Sequence, residues 1–394
     1  MKVPLAKPEL GDPEIALLSE TIRSGWITQG PRVAEFEREF AAHVEARHAV
    51  AVSSCTTALH LGLRLLDVGA SDEVITTPHS FIASANAIRY CGARPVFVDI
   101  DPRTLNTAPE RIPAAITPHT KAILIVHQVG RPADLEAVSS IARAHRIPLV
   151  EDAACAIGSE YRGRKIGHNQ YSSLVCFSFH PRKIVTTGDG GMITTDSEVF
   201  AQRLRRLRQH GMSASDLQRH RSARIVTEEY LELGYNYRLT DLQAAVGRVQ
   251  LQRLPEIVER RRELADRYAA LLSSIPGLAL PAEPAWARTN WQSYCVRLPE
   301  HCDQRRVMER LLADGIASKR GVMCTHRSPA YAAIPWSCGH HAETCTCPPG
   351  TCTRLRESEL AEDRSVMLPL YPGLSEADQD RVVAAMASAC RRAG

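Results

Sequence analysis

Short apolar runs alternate with segments of helical periodicity between residues 49 and 179. Runs that are apolar throughout and separated by helices are typical of a mostly parallel sheet that is covered on both faces. The predicted strands are residues 49–52, 73–76, 95–98 and 122–126, with two more that end at Asp152 and at Phe179. The predicted helices between them are residues 56–66, 80–90 and 134–145.

The length of the chain, 394 residues, predicts two domains. We expect a large α/β domain over residues 1–255, which includes the N-terminal segment, and a smaller α/β domain over residues 256–394. Thr240 opens a long helical pattern and has a capping-box spacing to Gln243. Pro255 is expected to break or kink that helix, because proline removes a backbone donor and clashes with the preceding turn.

The composition is ordinary for a soluble globular protein, with 44% hydrophobic and 23% charged residues. The net charge of +4 is small for this length and does not indicate binding to nucleic acid or to an anionic membrane. The N-terminus does not resemble a secretory signal, and no apolar run is long enough to span a membrane. We therefore expect a cytoplasmic protein whose twelve cysteines are reduced thiols.

Polar residues that follow the apolar runs are the candidates for chemistry. Ligands of parallel sheets bind beyond the carboxyl ends of the strands, which favours Ser54, Asp152 and Ser178. Only six lysines occur, and Lys183 alone lies between an apolar strand and a glycine-rich turn, residues 188–191. A lysine and a carboxylate are the pair that pyridoxal 5′-phosphate (PLP) needs, because its aldehyde forms a Schiff base and its ring nitrogen is held protonated.

Each of these features has an ordinary alternative when it is taken alone. Residues 53–58 suit a phosphate at a helix N-terminus, yet serine and threonine there are commonly plain N-caps. Asp152 fits a helix cap and Lys183 fits a solvated surface lysine. His127 is interpreted as a core histidine with satisfied hydrogen bonds, and Phe81 as a core residue unless it stacks on a ligand ring.

Taken together, a series of segments along the chain resembles the DegT/DnrJ/EryC1/StrS family of sugar aminotransferases, from Trp26 to Tyr371. The ordered series is specific for the family and does not specify the substrate. The segments are residues 24–31, 54–59, 72–75, 151–154, 178–183, 188–192 and 234–241.

The resemblance implies a fold type I, aspartate-aminotransferase-like homodimer with its active site at the subunit interface. Lys183 would form the Schiff base with PLP, and Asp152 would pair with the pyridine nitrogen. The cofactor contacts carried over are Ser54, Cys55, Thr56, Thr57, Phe81, Cys155 and Ser178, with Asn236 supplied by the other subunit. The residues carried over for substrate binding are Trp26, Thr28 and His326.

The implied reaction transfers an amino group from glutamate or glutamine to a keto-sugar, which we expect to be nucleotide-linked. The acceptor alternatives are a keto-cyclitol or another ketone of natural-product biosynthesis. Sugar dehydration is a further alternative, but relatives that run it have histidine in place of the lysine, and Lys183 argues against it. A regulator that binds the cofactor without catalysis is left open, although no DNA-binding motif supports it.

Three departures from the family pattern bear on the site. Cys55 replaces a glycine of the cradle, and Cys155 replaces a glutamine or histidine beside the cofactor. Residues 319–327 lack the arginine–tyrosine–proline–histidine pattern that sugar aminotransferases often have. Cys55 bears on the geometry of the cradle, and Cys155 bears on the ring contacts or the choice of substrate. The third departure weakens the case for an ordinary nucleotide sugar.

Residues 338–352 contain four cysteines and two histidines, enough for a tetrahedral zinc site. Their spacing does not match a common zinc finger, since Cys345 and Cys347 are only two positions apart. We interpret the segment as a flexible surface loop with free thiols, leave a structural metal open as the alternative, and predict no metal site.

Overall fold

A seven-stranded sheet forms the centre of the larger part of the molecule in a computed structural model that describes residues 2–339, 345, 347 and 351–392. Its strand order is β1-β9-β8-β5-β4-β2-β3, and every strand is parallel to the others except β9, which pairs antiparallel with both β1 and β8. The strands are β1 (His48–Val52), β2 (Glu73–Thr76), β3 (Arg94–Phe97), β4 (Thr120–Val126), β5 (Leu149–Asp152), β8 (Leu174–Ser178) and β9 (Gly191–Thr195).

Helices cover both faces of this sheet, because successive strand residues point to opposite sides and both sides are apolar. Ala49 and Leu149 pack with α2, α5 and α8, whereas their neighbours Val50 and Val150 pack with α3 and α6 on the other face. The helices of this region are α1 (Asp12–Arg23), α2 (Pro31–Val44), α3 (Cys55–Leu65), α4 (Ala83–Tyr90), α5 (Leu135–Ala144), α6 (Glu198–Leu207), α7 (Asp216–Arg221) and α8 (Asp241–Leu272).

A second region follows α8 and has a separate three-stranded sheet of order β11-β13-β12. Its apolar cluster combines this sheet with the end of α8, α9 and α11. The elements are β11 (Tyr294–Arg297), α9 (Gln304–Ala313), β12 (Lys319–Arg320), α10 (Arg356–Arg364), β13 (Ser365–Leu368) and α11 (Glu376–Arg392). A small antiparallel sheet is formed by β6 (Glu160–Tyr161), β7 (Arg164–Lys165) and β10 (Ala287–Arg288).

The structure confirms the predicted α/β class and the positions of the strands, and it corrects one detail of α8. Thr240 caps α8 and forms the expected capping box with Gln243. The helix does not break at Pro255 but runs from Asp241 to Leu272. Leu254, Ile257 and Val258 lie buried in the core on either side of the proline, so tertiary packing holds the helix despite the missing donor.

The helix α8 contributes to two cores. Its first part packs against the large sheet up to Val258, and its later residues from Leu264 pack with the second region. The division at residue 255 therefore falls inside a continuous helix, and we propose that the two regions are domains that share it. Val3 also joins the second region, where it forms a bridge with Ile316.

Within the described residues, no helix is both long and apolar enough to cross a membrane. The cytoplasmic location stays a prediction.

Candidate active site

Asp152 lies at the carboxyl end of β5, in the middle of the large sheet, and its side chain is buried. The Ser84 hydroxyl donates to Oδ2 at 2.7 Å, and the Ala154 backbone N–H donates to Oδ1 at 3.1 Å. The Cys55 thiol lies 3.9 Å from Oδ1. These groups come from β5, α3 and α4, so the orientation of the carboxylate is set by three separate elements.

Lys183 lies in the turn between β8, the strand next to β5 in the sheet, and β9. Its side chain is half-buried, and Nζ lies 3.1 Å from the Cys155 sulfur. Burial lowers the pKa of Lys183, but Cys155, Cys55 and the Asp152 carboxylate outweigh burial and raise it above its ordinary value. The Lys183 amine and the Asp152 carboxylate thus interact electrostatically in the folded chain, although they are 31 positions apart in the sequence.

The N-terminus of α3 lies beside this pair. Ser54 is its N-cap, accepting a hydrogen bond from the Thr57 N–H at 3.2 Å, and the Thr57 hydroxyl donates to the Ser54 carbonyl at 2.8 Å. The Thr56 hydroxyl is half-buried and has no hydrogen-bond partner within the part of the chain that the structure describes. A Cβ on Gly191 would lie 2.5 Å from the Ser54 carbonyl, so glycine is required for β9 to pass so near this helix end.

Cys55, which replaces a glycine of the family pattern, occupies the first turn of α3 without backbone strain. It is buried, and its φ is not among the positive values of the chain. Burial raises the pKa of the Cys55 thiol, and Asp152 raises it further. The position therefore does not need the backbone freedom of glycine in this chain.

Phe81 and Ser178 occupy different surroundings. The Phe81 side chain is 68% exposed, which is unusual for a phenylalanine and leaves its ring free to contact a ligand or another subunit. Phe81 is therefore not a core residue. Ser178 is buried at the end of β8, where its hydroxyl accepts a hydrogen bond from the His180 N–H at 3.5 Å.

Three further candidates, Asn236, Thr28 and Trp26, make no hydrogen bond or ring contact with Lys183 or Asp152 among the described residues. Asn236 and Thr28 are exposed. The Trp26 indole donates to the Gln29 carbonyl at 3.2 Å, and its ring packs edge-on against His220 at 5.1 Å between ring centroids.

Two buried histidines each pair with a glutamate at 2.8 Å, His127 with Glu151 and His326 with Glu359. His127 also accepts the Ala133 N–H at 3.0 Å, so both ring nitrogens are satisfied, and its interpretation as a core histidine is confirmed. His326 packs with Phe97 and Trp336, and its Nδ1 has no partner among the described atoms. No contact of the described residues joins His326 to Lys183 or to Asp152.

Several side chains that support the site have no motif of their own in the sequence. Gln292 accepts the Ile184 N–H at 3.1 Å and donates to the Arg182 carbonyl at 2.6 Å, so it bridges the backbone on both sides of Lys183. Asn290 donates to the Cys155 carbonyl at 2.8 Å. Both residues come from the loop before β11, far along the chain, and only their spacing of two from each other hints at a joint role.

Positive charge gathers near Lys183. Burial lowers the pKa of Lys319, and the charges of Arg182, Lys183 and Arg320 lower it further. Arg320 is paired with Glu362 at 3.0 Å. The site therefore combines a buried carboxylate at its base with an excess of cationic groups beside the lysine.

Comparison with known proteins assigns this arrangement to a family. The model of the DegT/DnrJ/EryC1/StrS aminotransferase family matches residues 8–387. The aminotransferase TlmJ from Streptoalloteichus hindustanus is similar over 99% of both chains, with 34% identity and a TM-score of 0.87.

Two further solved structures match the full length of both chains. One is the putative sugar aminotransferase Spr1654 from Streptococcus pneumoniae in its PLP form, with 26% identity and a TM-score of 0.89. The other is 3-amino-5-hydroxybenzoic acid synthase, with 30% identity and a TM-score of 0.88. The chain thus belongs to the DegT/DnrJ/EryC1/StrS aminotransferase family and is a PLP-dependent aminotransferase with the fold type I architecture.

Proposed function

We propose that this enzyme transfers an amino group from glutamate or glutamine to a nucleotide-linked keto-sugar in the biosynthesis of an amino sugar or a natural product. The observation that carries the proposal is the convergence of Lys183 and Asp152. The two residues come from the ends of neighbouring strands and interact electrostatically across a site that also contains a helix N-terminus.

The buried end of the site fits the ring nitrogen of PLP. Asp152 has two hydrogen-bond donors, Ser84 and the Ala154 N–H, which hold its carboxylate in one orientation. A charge-assisted hydrogen bond from a protonated ring nitrogen to such a carboxylate contributes about 1.5–3 kcal/mol. We assign this contact to Asp152.

The other end fits a phosphate group. The N-terminus of α3 offers free backbone N–H groups, the positive end of the helix dipole and the unpartnered Thr56 hydroxyl. Ser178 adds a hydroxyl from the end of β8, and Phe81 is exposed enough to cover the ring. The Ser54 and Thr57 side chains cap the helix, so we assign them to shaping the cradle and Thr56 to direct contact.

Bound PLP supplies an electron-accepting ring that stabilises negative charge on the reacting carbon. Lys183 would hold the cofactor through Nζ and, once released by an incoming amine, move protons at the reacting carbon as a general acid and base. Lys183 stands on a turn, whereas Asp152 is fixed at the carboxyl end of β5. The two half-reactions alternate, which predicts ping-pong kinetics.

The cations near Lys183 support anionic substrates. Arg182 and Lys319 lie close enough to Lys183 to influence one another's charge, and Arg182 is exposed. Such a group of cations favours the carboxylates of glutamate or glutamine and the phosphates of a nucleotide-linked sugar.

We also propose that the active enzyme is a homodimer with shared active sites. The segment before Asn236 exposes large apolar side chains that a monomer would leave in water, and exposed apolar clusters of this kind mark interfaces. Asn236 itself is exposed and so is Phe81, as expected of residues that meet a partner subunit. The exposed apolar residues of this segment are Ile225, Val226, Tyr230, Leu231 and Leu233.

A second candidate acceptor is a ketone that is not a sugar, such as a keto-cyclitol. Residues 319–327 depart from the pattern of many sugar aminotransferases, and His326 is buried against Glu359 rather than placed beside Lys183. One solved relative that matches the whole chain is a 3-amino-5-hydroxybenzoic acid synthase, whose named product is an aromatic acid.

The decisive experiment incubates the PLP-loaded enzyme with ¹⁵N-glutamate or with glutamine labelled at its α-amino nitrogen, and a panel of nucleotide-linked keto-sugars and keto-cyclitols. Mass spectrometry should show label in an aminated nucleotide sugar and a 2-oxo acid from the donor. Lys183→Ala should lose transfer and covalent attachment of the cofactor, whereas the matched change at an exposed strand lysine, Lys121→Ala, should retain both.

Other outcomes decide between the alternatives. Label that appears only in a keto-cyclitol product would favour the second acceptor. A deoxygenated sugar without nitrogen would indicate dehydration, and cofactor binding without any transfer would indicate a regulator. A monomer at working concentration by light scattering would contradict the shared site.

A further inference from the structure

Three of the four cysteines of residues 338–352 lie together in the folded chain, and all four are free thiols. The sulfurs of Cys338, Cys345 and Cys352 all lie within 4.8 Å of one another. Cys345 and Cys352 are 3.9 Å apart. The Cys345 sulfur also interacts with that of Cys347, the exposed fourth cysteine of the segment. His340 and His341 lie outside the described residues.

The sulfur separations distinguish a metal site from a disulfide. A disulfide joins two sulfurs at about 2.05 Å and leaves any third sulfur unbound. Zinc–sulfur bonds of about 2.3 Å place the sulfurs of a tetrahedron about 3.8 Å apart. The 3.9 Å between the sulfurs of Cys345 and Cys352, with the Cys338 sulfur within 4.8 Å of both, is close to the second geometry.

We propose that Cys338, Cys345 and Cys352 bind one zinc ion in a structural site that is separate from the catalytic centre. Cys347 adjoins Cys345 but lies outside this group of three sulfurs, and it would close the site as the fourth ligand when the ion binds. Four thiolates close the tetrahedron and leave no open position for a substrate, as in other structural zinc sites. Thiolate ligands select zinc over magnesium or calcium, which prefer oxygen.

The proposed site joins a segment that pairs with the large sheet to the segment that leads into α10. Ser337, next to Cys338, pairs with the free edge of β3: its carbonyl accepts the Phe97 N–H at 2.7 Å, and its N–H donates to the Pro95 carbonyl at 3.1 Å. Cys352 directly precedes the short helical turn that leads into α10. One ion would therefore clamp the edge of the sheet to the start of α10.

The clamp also reaches the wall of the active site. Cys338, Cys345 and Cys352 pack in one apolar cluster with Phe97 and Trp336, and this cluster includes Ile82 and Ala85 of the segment that begins α4. Between those two residues lies Ser84, which donates to Asp152, and just before them lies Phe81. The ion would thus stabilise the base from which these two residues act, without touching the cofactor.

Thiolates, rather than thiols, are the ligands of zinc. Zinc binding releases one proton from each thiol that becomes a ligand, with no change of oxidation state.

Metal analysis of the purified holoenzyme tests the proposal. The native protein, prepared with zinc in the growth medium and without chelator, should contain about one zinc ion per chain. Cys352→Ser should lose the ion, and Cys91→Ser, which changes a cysteine at the end of α4 outside the cluster, should retain it. Zinc that persists in Cys352→Ser, or that is absent from native protein, overturns the proposal.

Two measurements on the unmutated chain avoid the risk that Cys352→Ser fails to fold. Alkylation mapped by peptide mass spectrometry should spare the four cluster cysteines until a chelator is added, and cobalt(II) should give the intense visible absorption of a tetrahedral thiolate site. A disulfide between any two of the four cysteines in freshly prepared protein, or the weak spectrum of octahedral cobalt, would show that no such site exists.

Discussion

Asp152 and Lys183 face the same site but are held in opposite ways. Asp152 ends a strand in the middle of the sheet, is 4% exposed and has oriented donors from two elements. Lys183 stands on a turn and is half-buried, and its amine hydrogen-bonds to the Cys155 sulfur. The difference suits their proposed roles. Asp152, which keeps one partner, is fixed at the end of a strand, whereas Lys183, which must exchange partners, lies on a turn whose backbone is held by Gln292.

Removing the charge at the fixed end should have the largest effect. Asp152→Asn keeps the size of the side chain but cannot stabilise a protonated ring nitrogen, so we expect kcat to fall by about 10²-fold or more. Steady-state kinetics with glutamate measures this, and the cofactor should still attach at Lys183. Asp314→Asn, at an exposed helix end, is the control. Full activity in Asp152→Asn would refute the role of the carboxylate.

Removing the hydrogen bonds that hold the Lys183 turn should have the second-largest effect on kcat. Gln292→Ala removes two hydrogen bonds to the backbone beside Lys183, each of about 1 kcal/mol, so we expect a loss of kcat on the order of 10-fold. A crystal structure or hydrogen exchange of the 180–187 turn should show increased mobility. If kcat is unchanged while the turn loosens, the position of Lys183 does not depend on this brace.

The orientation of the carboxylate should matter less than its charge. Ser84→Ala removes one hydroxyl donor from Asp152, which corresponds to about 0.5–1.5 kcal/mol and a 2- to 12-fold loss in PLP affinity. Equilibrium titration of the apoenzyme with PLP measures it. Ser140→Ala, a change in an exposed helical serine, should leave the affinity unchanged. An equal loss in both variants would place the effect elsewhere.

The smallest expected effect is on the pH dependence of cofactor attachment at Lys183. The pKa of Lys183 is raised by Cys155, so Cys155→Ala should lower it and let the uncharged amine attack PLP at a lower pH than in the native apoenzyme. The pH dependence of the rate of cofactor attachment, followed by absorption, reports the shift. Because the folded-state pKa is raised, stability from charged Lys183 is present below the ordinary lysine pKa and is lost as pH rises through the raised value. A profile that moves to higher pH would contradict this reading of Cys155.

Local sequence predicted most of the scaffold because parallel strands carry long apolar runs and helices carry caps. Glu73–Thr76 and the Thr240 cap agree with the structure residue for residue. Pro255 was the exception, since the prediction weighed only the missing donor and not the burial of α8 in two cores. Local rules fail where a long helix is held by packing on both sides of a proline.

The sequence alone determined the α/β architecture, the family and the candidate pair Lys183 and Asp152. It could do so because the apolar runs mark the strands, and ligands of a parallel sheet bind at the polar motifs that directly follow them. Tertiary structure decided which side chains meet that pair. Ser84 and Gln292 come from segments whose local patterns carry no such signal. The sequence drew attention to the cysteines of residues 338–352, but only the folded structure brings three of their sulfurs together. These contacts arise from the way the sheet, α4 and the second region pack together. Contacts between residues that are far apart in the sequence leave no trace in the local hydrophobic periodicity, so the sequence patterns could not predict them.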